Sequence, residues 1–137
     1  VEARMTLPLS QKQAKDFLSG AARSKNKYRA RKVTVDGITF DSAAEAERWS
    51  QLRLMQRAGE ITGLRRQVTY VLAPAVRYAQ AGRGTPALRY VADFQYEAKT
   101  GETVTEDVKG VLTEGFGIKR HLMLAVHGID VQLVRAA

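Results

Sequence analysis

Asp93, Asp107 and Lys109 are the side chains of this sequence whose types and spacing suit chemistry. Two carboxylates held face to face repel each other unless a cation or a proton sits between them. Acids on neighbouring strands can ligate a hard divalent cation through oxygen, leaving positions open for water and phosphate. Such a cation lowers the pKa of bound water and stabilises charge on a phosphoryl oxygen. Lys109, two residues beyond Asp107, could steer the water or neutralise the developing charge. Removing one electrostatic contact of that kind costs about 10²–10³-fold in rate. The arrangement is a sign of metal-dependent phosphodiester hydrolysis. The same spacing also fits a solvated sheet face with an ordinary Asp–Lys pair.

A β-hairpin must position these groups. Residues 91–97 and 103–109 read as strands joined through Lys99-Thr100-Gly101. A three-residue loop with glycine third suits a type I turn followed by a left-handed glycine and a bulge. That loop pairs residues whose numbers sum to 200, which sets Asp93 opposite Asp107. Strand period then places Lys109 on the face of Asp107 and Glu106 on the other, so Glu106 is the weaker metal candidate.

The flanking elements follow from pattern. A small hairpin is expected at 33–40, turning at Asp36-Gly37. Next comes FDSAAEAERWSQLRLMQRAGEI, with Ser42 as N-cap, Glu45 three residues later and Gly59 as terminator. Ala46, Trp49, Leu52 and Arg53 share a face of that helix, with Leu54 and Met55 beside it. Residues 64–72 read as a strand limited by Pro74, and 79–86 (AQAGRGTP) as a flexible loop. A second helix is expected over 116–127, using Phe116, Leu122, Met123 and Val126 and stopped by Gly128. A last strand covers 129–134. Upstream, Ser10 could cap a short helix over 11–18. The order is α, three β, α, β, an α/β (α+β) architecture with a mixed central sheet flanked by helices.

Composition narrows the chemistry. The 137 residues suit one core, divided as a peripheral arm, 1–24, and one domain, 25–137. No apolar run is long enough to span a membrane, and no secretory leader is evident. Zero cysteines exclude thiolate zinc sites, and two histidines make a histidine-rich centre a poor fit. Any metal would therefore be held by oxygen, as magnesium, manganese or calcium is. Cytoplasmic location is the matching expectation. Twenty-two Lys and Arg against fourteen Asp and Glu leave a formal +8, which attracts polyanions, nucleic acid first among them. The basic residues gather in RSKNKYRARK (Lys25, Lys27, Arg29, Arg31 and Lys32 among them), at Arg65-Arg66, and at Lys119-Arg120. A solubilising face accounts for the same clusters.

VADFQY followed by TEDVKG, with FDSAAEAERW upstream, resembles the PD-(D/E)XK nuclease superfamily. The likeness runs from about Lys25 to Val134 and is nearest to small phage and prophage enzymes similar to Holliday-junction resolvases and transposon-end endonucleases. It implies a restriction-endonuclease-like αβββαβ core and a Mg²⁺-dependent DNA endonuclease, with Mn²⁺ able to substitute. It further implies Asp93 and Asp107 as metal ligands, Lys109 as the motif lysine, and Glu45 as a third acid from the first helix. Ala92 stands where the superfamily label has proline, and Asp107 where many members have glutamate. Products would carry 5′-phosphate and 3′-hydroxyl ends, and a homodimer is compatible because resolvase-like relatives often act as dimers.

Several residues keep two readings. Glu45 either joins the metal site or bonds back to the cap in a Ser42–Glu45 capping box. Glu47 is about 200° around the helix from Glu45, so both cannot enter one site. Lys119 and Arg120 contact phosphate or solvent. Gln67 lies beside the site without an assigned role. His121 and His127 read as surface or core histidines, Trp49, Phe94 and Tyr96 as core. Tyr28, among basic residues, could stack on a base. The rival to a nuclease is a basic nucleic-acid-binding module that keeps the fold without hydrolysis, and a basic scaffold protein is a third reading. No nucleotide cofactor is expected.

Overall fold

A computed structural model describes residues 31–80 and 82–136. The expected helix over 11–18 with its Ser10 cap, and Lys25, Lys27, Tyr28 and Arg29 of the basic arm, lie outside the described residues. The chain divides into two compact units, 1–43 and 44–137. In the first, Arg31 and Lys32 are exposed and precede β1 (Val33–Val35), which pairs antiparallel with β2 (Ile38–Phe40). Asp36 and Gly37 both take positive φ (51° and 76°), the geometry of a type I′ turn, which the Asp-Gly dipeptide favours.

Helix α1 (Ala43–Arg57) starts directly after Ser42. Ala46, Trp49 and Leu52, at three-residue spacing, form its buried stripe, each worth up to ~1.5–3 kcal/mol for the larger side chains. Arg53 lies over the Trp49 ring at 5.4 Å. Leu54, expected beside the stripe, is 63% exposed, because the buried face is narrower than the apolar sequence suggests. Gly59 at φ 77° ends the helix, and the Glu60 amide donates to Met55 O at 2.9 Å.

Four strands make one mixed sheet in the order β3 (Ile61–Ala73), β6 (Leu88–Ala98), β7 (Thr103–Lys109) and β8 (Gln132–Arg135). The first three are antiparallel neighbours, and β7 runs parallel to β8. The expected order of helix, three strands, helix and strand is present. Within the segment read as a flexible loop, β5 (Gly84–Thr85) forms a short ribbon with β4 (Val76–Arg77), which precedes that segment. Gly84 permits it: a Cβ there would meet Val76 O at 2.3 Å.

Helix α2 (Glu114–His127) is capped at both ends. Thr113 Oγ1 accepts the Phe116 amide at 3.1 Å, and Gly128 at φ 68° donates to Leu124 O. Phe116 and Met123 are buried against Leu72, Tyr90, Ala92 and Val131, with Leu122 partly buried beside them. Val126, assigned to this face from the sequence, is 52% exposed. Trp49 of α1 stacks on Phe94, while α2 packs on Tyr90 and Ala92. On β7, Glu106 bonds Arg48 of α1 while Lys109, three residues on, lies against Phe116 of α2, so the helices cover opposite faces of the sheet. Among the described residues no helix is long and apolar enough to cross a membrane.

Candidate functional site

The β6–β7 hairpin has the expected register. Its ladder pairs Glu97 with Thr103, Tyr96 with Val104, Gln95 with Thr105 and Phe94 with Glu106, every sum being 200. The Gly101 amide donates to Ala98 O at 2.9 Å and the Ala98 amide to Glu102 O at 2.8 Å, with Gly101 at φ 85°. Asp93 and Asp107 come next in that register. Asp93 Oδ2 accepts the Val108 amide at 2.8 Å, which anchors this carboxyl to β7.

The two acids differ in setting. Asp107 is 2% exposed and Asp93 half-buried. Burial first, then hydrogen bonding and repulsion from Asp107, push the Asp93 carboxyl up to about 8. The Val108 amide pulls the other way, and the Glu45 charge adds a smaller push. Glu45, half-buried in the first turn of α1, is thus felt at Asp93. Lys109 Nζ sits 3.0 Å from Asp107 Oδ2, off the angle a hydrogen bond needs, so this buried oxygen retains unfilled hydrogen-bonding capacity. The Lys109 ammonium also lies 4.5 Å above the Phe116 ring.

Glu106 faces away from this group, as strand period requires. Arg48 of α1 grips it with two bonds, Nε to Oε2 at 2.8 Å and Nη2 to Oε1 at 2.5 Å. Tyr96 donates to the same Oε1 at 2.5 Å. The Glu106 contact raises the Arg48 pKa, while burial, then Glu106, push Tyr96 up to about 12. Arg48 had no role in the sequence reading, because nothing local marks an ion pair spanning 58 positions. It ties the strand bearing Asp107 to the helix bearing Glu45.

Gln67 has a definite place. Arg66 pairs with Phe94 and Val68 with Ala92, so Gln67 is the residue opposite Asp93. It takes φ 54°, left-handed and costly for a side chain with a Cβ. Side-chain alternation slips here: Ala92 packs with α2, and Phe94, two residues on, stacks on α1 at 6.1 Å. The slip brings Tyr90 and Asp93 together although they are three residues apart. Burial, then the charges of Asp107 and Asp93, raise the Tyr90 pKa, so its hydroxyl keeps its proton. That hydroxyl is buried beside Asp107, close enough for a weak hydrogen-bonding influence but without a partner at full bonding geometry. Strict alternation puts Tyr90 on the other face, which is why sequence reasoning misses it.

A second polar network shares the sheet with the site. Gln95, 4% exposed, accepts from Arg65 and donates to Tyr70 and to Thr105 Oγ1. It rigidifies β6 two residues beyond Asp93. Lys119 and Arg120 are both exposed on α2, and His127 Nε2 lies 2.7 Å from Val71 O. His127 ties α2 to β3 and is a structural histidine, as the sequence suggested for both.

Among the described residues no group of three or more His, Asp or Glu side chains gathers closely enough to hold a metal alone. Two acids with a buried, unsatisfied carboxylate oxygen still suit a hard cation, which commonly takes one or two carboxylates and completes its shell with water and phosphate oxygen.

The fold defines a mixed α+β domain with two helices on a mixed sheet. A family model described as "Protein of unknown function (DUF1064)" matches residues 25–135, and the chain belongs to that family. No curated protein and no solved structure matches it.

Proposed function

We propose that this protein is a metal-dependent DNA endonuclease with a restriction-endonuclease-like core. The observation that carries the reading is the Asp93–Asp107 pair, adjacent in the register, mutually repelling and flanked by Lys109 at 3.0 Å. The resemblance of VADFQY and TEDVKG to PD-(D/E)XK motifs and the formal +8 charge support it. Asp93 and Asp107 would hold Mg²⁺ or Mn²⁺, with Glu45 near enough to add its charge. Bound there, the cation supplies an acidified water and charge stabilisation at a phosphoryl oxygen. Lys109 places a positive charge beside Asp107 and the reacting phosphate, and orients the attacking water. The Arg48–Glu106 pair holds β7 still, so Asp107 keeps its place during the reaction.

The rival is a nucleic-acid-binding module without hydrolysis, which the formal +8 charge suits equally, because a basic surface attracts a polyanion whether or not it is cut. Cleavage of plasmid, duplex and branched DNA with Mg²⁺ separates the two. Asp107→Asn and Lys109→Ala are expected to lower the cleavage rate by about 10²-fold or more. Activity that survives both substitutions would remove the site assignment. DNA binding with no cutting in Mg²⁺ or Mn²⁺ would establish the rival.

A further inference from the structure

Lys109 also borders a cleft of about 390 Å³ whose walls include Arg89, Tyr90, Thr113, Phe116 and Lys119. Three cations from three elements meet there: Arg89 near the start of β6, Lys109 at the end of β7, and Lys119 in the second turn of α2. Lys109 already has Asp107 beside it. Arg89 and Lys119 are exposed and form no ion pair with an acid among the described residues. The first turn of α2 contributes the positive end of its dipole through Thr113 and Gly115, which also line the cleft.

Tyr90 is the observation that turns a basic surface into a built site. It lines this cleft, is 4% exposed, and its hydroxyl has no hydrogen-bond partner. Asp107 stands beside this hydroxyl without reaching bonding geometry, so the donor is free to turn to a phosphate bound in the cleft. Unpaired cations, a helix N-terminus and a spare donor together suit a phosphate.

We propose that the cleft is a phosphate subsite that holds one backbone phosphodiester of the nucleic acid, next to the phosphodiester presented to Asp93 and Asp107. Arg89 and Lys119 pair with its non-bridging oxygens and Tyr90 donates to it. The strand therefore crosses the sheet from the carboxylate pair toward the start of α2. This rests on the nuclease reading for the neighbouring phosphate, while the cleft's own chemistry requires only a phosphate.

Binding of labelled duplex and flap DNA to the full chain, without divalent metal and over a salt series, tests the subsite. Arg89→Ala and Lys119→Ala are each expected to weaken binding about tenfold and to lower the salt slope by about one. Tyr90→Phe, which keeps the ring, is expected to weaken binding with the salt slope unchanged. Lys99→Ala, at the far turn of the hairpin, serves as the control. Both substituted cations are exposed, and thermal melts check that the variants fold. Unchanged affinity and slope in Arg89→Ala and Lys119→Ala would overturn the subsite. Tight binding of inorganic phosphate or a nucleoside monophosphate, with no measurable DNA binding, would overturn the polymer assignment. Wild-type protein that cuts DNA while these variants bind and cut normally would remove the subsite and leave the nuclease. Binding that depends on Arg89 and Lys119, with no cutting in Mg²⁺, would leave the subsite and remove the nuclease.

Discussion

Replacing Asp93 by asparagine isolates the repulsion between the two acids. Asparagine has the shape of a protonated aspartate, and its amide oxygen can still accept the Val108 amide. The folded carboxyl is pushed from an ordinary 3.8 up to about 8, chiefly by burial and then by Asp107. The folded state therefore holds this proton more tightly than the unfolded chain, and folding takes one up between about pH 4 and 8. The stability it lends is full below about pH 4 and is lost as pH rises toward 8. At ~1.4 kcal/mol per pH unit the whole window amounts to about 5–6 kcal/mol in the limit of a dry, isolated site. Asp93 is only half-buried and hydrogen-bonds its neighbour, so solvent and that contact reduce this to about 1–3 kcal/mol. Urea unfolding at pH 5, 7 and 9 is expected to show wild type and Asp93→Asn converging at low pH, with the variant more stable at pH 9. Millimolar Mg²⁺ should stabilise the wild type at pH 9 and close that gap. Parallel pH profiles for the two proteins would refute the repulsive pair. A gap unaffected by any divalent cation would refute the metal assignment while leaving the repulsion.

Two further perturbations probe the scaffold. Arg48→Ala leaves Glu106, 3% exposed, without its guanidinium and is expected to cost about 2–4 kcal/mol in urea unfolding, whereas Arg48→Met with Glu106→Met should restore most of it. A loss below about 0.5 kcal/mol in the single variant would show that Glu106 is solvated rather than held. Gln67→Gly relieves a left-handed residue and is expected to raise stability by up to about 1 kcal/mol, while Gln67→Val should lower it by ~1–2 kcal/mol. Equal stability of the glycine and valine variants would show that the backbone at Gln67 is not left-handed in solution.

The hairpin was legible because its determinants are local. Three residues ending in Gly101 dictate the turn, the turn dictates the register, and the register places Asp93, Asp107 and Lys109 together. Asp36-Gly37 was readable for the same reason. Helix ends marked by Gly59 and Gly128 were equally plain, although Leu54 and Val126 were assigned to buried faces they do not occupy. What escaped depends on partners distant in sequence. Arg48 looks like any exposed helix arginine until Glu106 is placed opposite it. Tyr90 follows from a slip in alternation at Gln67 and Asp93, and no property of either residue announces a left-handed glutamine within a strand.

The turn at Lys99-Thr100-Gly101 acts as a gauge for the acids it separates. Surface loops generally accept added or deleted residues at small cost. Here a change of one residue would shift the pairing by one and send one acid to the opposite face of the sheet. Lengths that differ by an even number keep the faces and displace the acids along the strands. Related chains that vary in this turn are therefore expected to do so in steps of two, with the spacing between the two aspartates changing in the same steps.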